Sequence, residues 1–352
     1  MLTAGERVAA VIERRMPPAM ASTFKATEEV DRQMMRHFGL SGVEDLIASL
    51  GVCGLHWPWR NIGPRGLENV RREGAVVFDA WGVGRRAIPY GAGTYWEIVH
   101  SPLAGAETVA EIERYDWPAV EHLDFSAVLA ECDAHADQAL SIWQWTVFER
   151  AWAMRGFEAL LVDMAANGKL AQAIIARVEE CNWRIIEKTL AIAGDRIRLF
   201  GSGDDFGSQA SLLVSVEMWQ KYFGPGYRRA YELAHKRGMT TWLHSDGAVR
   251  PLIPELIDAG LDVLDPLMPT IREMSPYEII PEYGRDLCFH GTIDAQRLLP
   301  FEPETAVRAE VRRQLDELWS RGGVFMGPSH CIQPGTPLEN ILAVYDELSR
   351  VA

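Results

Sequence analysis

The sequence predicts an α/β fold, a (β/α)8 TIM barrel with an N-terminal helical extension. Three observations predict it. From about residue 139 onward, strand-length apolar runs alternate with amphipathic helical stretches, the pattern of parallel strands joined by helical crossovers. Six strands fall there and two further candidates lie in the first third, so eight units fit the 352 residues. The early strands lack the Gly-rich phosphate turn that marks the alternative, an open doubly wound sheet. No linker, charge block, low-complexity tract or repeat divides the chain, so residues 1–352 read as one domain.

In chain order, Thr3 followed by Glu6 reads as the capping box of a first helix that ends before Pro17. PAMASTF (18–24) and GAVVFDAW (74–81) are the two early strand candidates. ALSIWQWTVF (139–148) is the next strand, and a long helical stretch follows through ARVEECNWRIIEKTLAIAG. IRLFGSGDD (197–205) is an apolar run ending in glycine and acid. The helix VEMWQKYFGPGYRRAYELAHKRG stops at Gly238, a C-terminal capping signal. The strands MTTWLHSDG (239–247), LDVLDP (261–266), DLCFHGTID (286–294) and GGVFMGPSHC (322–331) complete the series, with VRPLIPELIDAG, PETAVRAEVRRQLDELWSRG and PLENILAVYDELSR as helices.

Charge and cysteine usage exclude several function classes. A net charge of −14 argues against wrapping nucleic acid or an anionic membrane, both of which need a basic footprint, although a local basic pocket is compatible with it. The five cysteines are scattered, odd in number and without a C-x-x-C pair, which fits reduced thiols in a cytoplasm. The N-terminal run MLTAGERVAAVIERRMPP carries charges within its only apolar stretch and does not read as a signal peptide. No uncharged apolar run approaches 18 residues, so no membrane span is expected.

A barrel of this kind places its chemistry at the C-terminal strand ends. Here those ends carry Asp204-Asp205 with Gln209 beyond, then His244-Ser245-Asp246, then Asp265, then His290 with Asp294, then Ser329-His330-Cys331. Acids at such places also cap the following helices, but capping does not account for three histidines. His244-x-Asp246 sets two side chains on the same side of an extended segment, able to supply two ligands to one metal. His330 and Cys331 are the candidates for a third, in a site suited to zinc with an open position. A hydrogen-bonding His244 without metal is the alternative. Glu217 opens a helix, where its carboxylate favours the dipole. Among the 12 Trp, Trp57/Trp59 and Trp143/Trp145 form alternating pairs, each predicted to face one side of its segment. They read either as the wall of a pocket for a flat ring or as filling of the barrel layers.

At these residues the sequence resembles the uroporphyrinogen decarboxylase superfamily. The matching blocks are GDDFGSQASLLVSVEMWQKYFGPGYRRAYELAHKRG, LHSDGAVRPLIPELIDAGLDVLDPLMP, FHGTIDAQRLLP and GGVFMGPSHCIQPGTPLENILAVYDEL, with HSPLAGAETVAEIERYDWP as an earlier one. The resemblance implies a TIM barrel, and dimers through the barrel face. True decarboxylases of the superfamily carry an early R-x-P-x-W-x-M-R-Q-A-G-R block whose arginines hold the porphyrinogen carboxylates. The corresponding region here, RRMPPAMASTFKATEEVDRQ, lacks it. Asp79 in FDAW stands in for their central Asp, and Arg150 falls where their substrate-contacting Tyr would be if Thr146 is their strand-end Thr. The missing block and the acidic balance argue against a porphyrinogen substrate.

The chain is more similar to the other branch, the zinc-dependent methyltransferases that work with corrinoid proteins, coenzyme M or tetrahydrofolate. Their zinc ligands follow H-x-C and a distant Cys. Here His244 is retained, Asp246 takes the Cys position, and the interval before T-P-L-E-N lands on His330 with Cys331 offset by one. A harder His/Asp/His set suits oxygen-containing substrates. The resemblance thus implies a zinc ion at His244, Asp246 and His330 that polarises a methoxy oxygen. The methyl acceptor would be a corrinoid, on a partner protein, or tetrahydrofolate. Asp205 or Asp294 would protonate or orient the leaving group, with Gln209, Arg150 and the tryptophans binding a small aromatic substrate. Two alternatives stand beside it: a metal-independent decarboxylase or lyase of a non-porphyrin acid, using Arg150 or Arg250, and a non-catalytic ligand-binding barrel.

Overall fold

The computed structural model describes residues 2–15, 20–53, 58–90 and 93–350. Its strands, in chain order, are β1 (Arg60–Asn61), β2 (Arg71–Glu73), β3 (Val76–Phe78), β4 (Gly84–Tyr90), β5 (Gly93–His100), β6 (Leu140–Trp145), β7 (Leu199–Gly203), β8 (Thr240–His244), β9 (Val263–Asp265), β10 (Cys288–His290) and β11 (Val324–Phe325). Seven of them form a curled, all-parallel sheet in the order β1-β6-β7-β8-β9-β10-β11, and β2 to β5 form a separate antiparallel sheet. The six strands expected after residue 139 are all present. Beyond β11, parallel bridges Ser22↔Met326 and Ala26↔Ile332 bring the segment after residue 20 alongside, and Cys53 N donates to Ser22 O at 2.8 Å.

Period-two alternation sorts the core. On the concave side lie Leu199, Trp242, Val263, Cys288 and Phe325 with Trp59. Their strand neighbours Phe200, Leu243, Leu264, Phe289 and Val324 pack under the helices. The capping box of Thr3 and Glu6 forms as expected, starting the helix Ala4–Ile12. Its Val8 and Val11 join the concave cluster. His244, Asp265 and His290 stand two residues beyond Trp242, Val263 and Cys288, so the same alternation turns them inward at the C-terminal strand ends.

Two expectations are corrected here. GAVVFDAW is not a strand of the parallel sheet. Its Val76–Phe78 forms β3, folded back on Arg71–Glu73 by a two-residue turn at Gly74-Ala75, with Gly74 at φ 58°. The place beside β6 goes to β1, whose two residues carry no apolar run to announce them. Secondly, Trp143 and Trp145 do not share a face. Trp143 stacks on Trp59 at 5.0 Å and 13°, whereas Trp145 meets Trp183 and Tyr227 of the outer helices. A register shift between Trp143 and Trp145 against β7 is the cause: the extra residue reverses the alternation.

Among the described residues, no helix is long and apolar enough to cross a membrane.

Candidate metal centre

The loops after β7 and β8 bind to each other before they bind anything else. Phe206 N donates to Ser245 Oγ at 3.1 Å and Ala248 N to Ser208 O at 2.9 Å. Gly247, at φ 90°, approaches Gly207 so closely that an added Cβ would stand 2.5 Å from the Gly207 carbonyl carbon. Only glycine fits there. This lacing brings Asp205 beside Asp246, whose N–H donates to Asp205 Oδ1 at 2.8 Å.

His244, at the end of β8, has its Nδ1 2.9 Å from Asp265 Oδ2. Asp265 is fully buried, and its other oxygen takes His290 Nδ1, whose Nε2 in turn lies 2.9 Å from Thr23 Oγ1. Burial alone would raise the Asp265 pKa, but the charges and hydrogen bonds of His290 and His244 outweigh it and hold the carboxyl well below its usual range. An ionised Asp265 fixes the Nδ1–H tautomer of His244 and turns Nε2 toward Asp246 Oδ1, 3.8 Å away. Burial opposes a charge on His244 too, yet the bond to Asp265 raises its pKa on balance.

Asp205, His244 and Asp246 each present a ligand atom, all within 4.8 Å of one another. Asp246 Oδ1 is buried without a hydrogen-bond partner, and Asp246 Oδ2 lies 3.4 Å from His330 Nε2. Two carboxylates, one of them with an oxygen left unbonded, and an imidazole Nε2 held by a carboxylate behind it fit a divalent cation. Without one, burial and the Asp205 charge raise the Asp246 pKa against the opposing charges of His244, His330 and Lys25. Burial lowers that of His330, helped by Lys25 and His244.

Residues 144–351 match the family model described as uroporphyrinogen decarboxylase (URO-D). The chain belongs to the uroporphyrinogen decarboxylase family. Among solved structures, it is similar in fold to a methyltransferase from Methanosarcina mazei, with a TM-score of 0.69 and 16% identity over 99% of each chain. No curated protein matches it.

In this family member, the structure brings together Asp205, His244, Asp246 and His330. Asp205, expected as an acid, stands with the ligand group. The Cys331 thiol is outside that group, and burial raises its pKa. Asp294 binds its own turn, accepting from the amides of Gln296, Arg297 and Leu298. Gln209 is exposed on the loop after β7, Trp59 is buried in the concave cluster, and Trp57 lies outside the described residues. Arg250 is tied to Glu278 and Glu282. Glu217 sits in the first turn of its helix, as expected, and the backbone amide there lowers its pKa.

Asp79 and Arg150 meet each other instead of the ligand group. Asp79 Oδ2 accepts from Arg85 and from Arg150, both at 2.8 Å. A cavity of about 500 Å³ lined by these two arginines, Thr146, Glu149, Tyr95 and Trp96 opens there. A larger one, about 940 Å³, lies at the opposite end against the helix Ala4–Ile12 and holds none of the site residues.

Two groups near the site escaped the sequence reading, as did the connection of a third. Glu149 is pushed up to about 8 by burial and by the charges of Asp205 and Asp204. Its only signal was its place beside Arg150 and just after Thr146. Lys25, buried, follows directly on the early strand candidate and so occupied a strand end too. Asp265 was visible as a strand-end acid, but its bond to two histidines depends on strand order. Asp204 serves structure. It accepts from Val147 N, Glu149 N and the Tyr227 hydroxyl, and burial pushes it up to about 6 against those bonds.

Proposed function

We propose that this family member is a zinc-dependent methyltransferase that demethylates a small methoxylated aromatic substrate and passes the methyl group to a corrinoid or tetrahydrofolate acceptor. The observation that carries the reading is the convergence of Asp205, His244 and Asp246 on one point, with Asp246 Oδ1 buried and unbonded. Asp205, His244 and Asp246 would hold the ion, with His330 alongside. When bound, it supplies Lewis-acid polarisation of an ether oxygen. The likeness in fold to a methyltransferase agrees with this reading.

The chain's own residues prepare the chemistry. Asp265 orients His244. Glu149 stands beside Asp205, and burial favours its protonated form, whose proton can pass to the leaving oxygen. The scaffold we infer is one domain with a closed eight-stranded barrel. In it, the segment bridging to Met326 and Ile332 supplies the eighth strand, and Cys53 bonds to its Ser22 on the side away from β11.

Metal analysis of the purified protein tests the reading. One divalent ion per chain, lost in His244→Ala and in Asp246→Ala, together with demethylation of a methoxylated aromatic by the metal-loaded protein, is the expected result. A protein that binds no divalent ion at micromolar concentration overturns it.

A further inference from the structure

We propose that Arg85 and Arg150 form an anion subsite that seats the carboxylate of a flat substrate in the cavity beside the metal centre. The identity of the reaction rests on the methyl-transfer reading; the subsite itself does not.

The charge balance is the first support. Asp79 Oδ1 is taken by the amides of Trp81 and Val83, both at 3.0 Å, leaving Oδ2 for both guanidiniums. Two cations therefore share one oxygen. Among the described residues no other acceptor is bonded to either, although each guanidinium carries five N–H donors. A clamp meant only to fasten the antiparallel sheet to the helix Phe148–Arg155 would be served by one arginine forked across both carboxylate oxygens. Here one oxygen is spent on its own turn, and the remaining donors are available to another acceptor. At Asp79 two positive charges meet one negative, a local excess in a chain of net charge −14, with Glu97 also on the cavity wall.

Shape is the second support. Both arginines line the cavity together with Tyr95, Trp96 and Trp152. Tyr95 and Trp96 are 65% and 48% exposed, a display of large rings that a packed surface does not need. Arg150 lies over the Trp81 ring at 4.9 Å, which fixes the plane of its guanidinium. The same lining includes Thr146 and Glu149, and Glu149 adjoins Asp205 of the metal centre. A flat ring with a carboxylate at one end and a methoxy group at the other would reach both. Burial and the Arg85 charge depress the Arg150 pKa despite Asp79, and an incoming carboxylate relieves that penalty.

The test is binding of 4-methoxybenzoate and of its neutral isostere 4-methoxybenzamide to the full-length protein, followed by calorimetry without methyl acceptor. The acid is expected to bind roughly ten- to hundredfold tighter than the amide, as charge-assisted hydrogen bonds imply. In Arg85→Gln that preference should collapse, with amide affinity and metal content unchanged. Arg85→Gln leaves the Arg150–Asp79 pair intact, so it avoids the folding risk of Arg150→Gln. Equal affinity for acid and amide, or an undiminished preference in Arg85→Gln, overturns the subsite. Charge-selective binding, followed by no demethylation when the metal-loaded protein is supplied with a reduced corrinoid or tetrahydrofolate, overturns methyl transfer and leaves the subsite standing.

Discussion

His244 and Asp265 are register partners on β8 and β9, joined through Nδ1 and Oδ2 at 2.9 Å. The bond leaves His244 Nε2 toward Asp205 and Asp246, and the same carboxylate reaches His290 on the next strand. Asp265→Asn keeps the shape but cannot serve both imidazoles as an ionised acceptor. Metal affinity should fall roughly 10- to 100-fold, as with other carboxylates that orient a ligating histidine. Competition with a chelator measures it. The pH dependence has a definite sign. The folded-state pKa of Asp265 is depressed, so its contribution to stability is complete above the unfolded value of about 3.9. It is lost as pH falls through the lower folded value. Urea melts across the acid range should show a shallower slope in Asp265→Asn than in the parent.

His330 and Cys331 are adjacent in sequence but stand differently toward the centre. Both lie outside the three-donor group of Asp205, His244 and Asp246, but His330 Nε2 lies 3.4 Å from Asp246 Oδ2. Cys331→Ser is expected to keep full metal stoichiometry. His330→Ala should weaken binding roughly tenfold, by removing the partner that positions Asp246. Loss of metal in Cys331→Ser would mean that the thiol ligates.

What the sequence disclosed follows from what is local. Leu199/Phe200, Trp242/Leu243 and Val263/Leu264 alternate within their own strands, so the parallel strands after residue 139 were readable from spacing. His244-x-Asp246 was readable for the same reason, since both residues end one strand. The role of Asp265 was not, because it depends on β9 lying between β8 and β10. Nor was the split of Trp143 from Trp145, which an extra residue in the register with β7 imposes. The antiparallel β2 to β5 went unread because VVF looks the same in a hairpin as in a buried parallel strand.

Glu149 gives a second pH prediction. Its pKa, pushed up to about 8 by burial and neighbouring acids, exceeds the unfolded value of about 4.3. Between those values the folded state binds more protons than the unfolded one, so this group makes stability fall as pH rises. Glu149→Gln should flatten that slope in melts between pH 5 and 8. Under the proposed reaction, the parent's rate should also drop on the alkaline side, at a pH below 8 because a cation on Asp205 offsets the charge that raises Glu149. Glu149→Gln should lose that limb and roughly 100- to 10,000-fold in rate. An alkaline limb that survives in Glu149→Gln belongs to another group.

Trp143 occupies the space that Gly201 leaves empty. A Cβ at Gly201 would stand 1.8 Å from Trp143 Cε3, and Trp143 cannot retreat because Trp59 stacks on its other side at 5.0 Å. Gly201→Ala should therefore cost about 1–3 kcal/mol through overpacking, read as a lowered Tm. The cost should shrink when Trp143→Ala is present as well, since the two residues share one volume. Trp145 lies behind the strand against Trp183 and Tyr227. Trp145→Phe should then lower stability while leaving ligand affinity unchanged. A change in ligand affinity on Trp145→Phe would put that ring in the pocket after all, whereas additive costs for Gly201→Ala and Trp143→Ala would mean the two side chains do not compete for space.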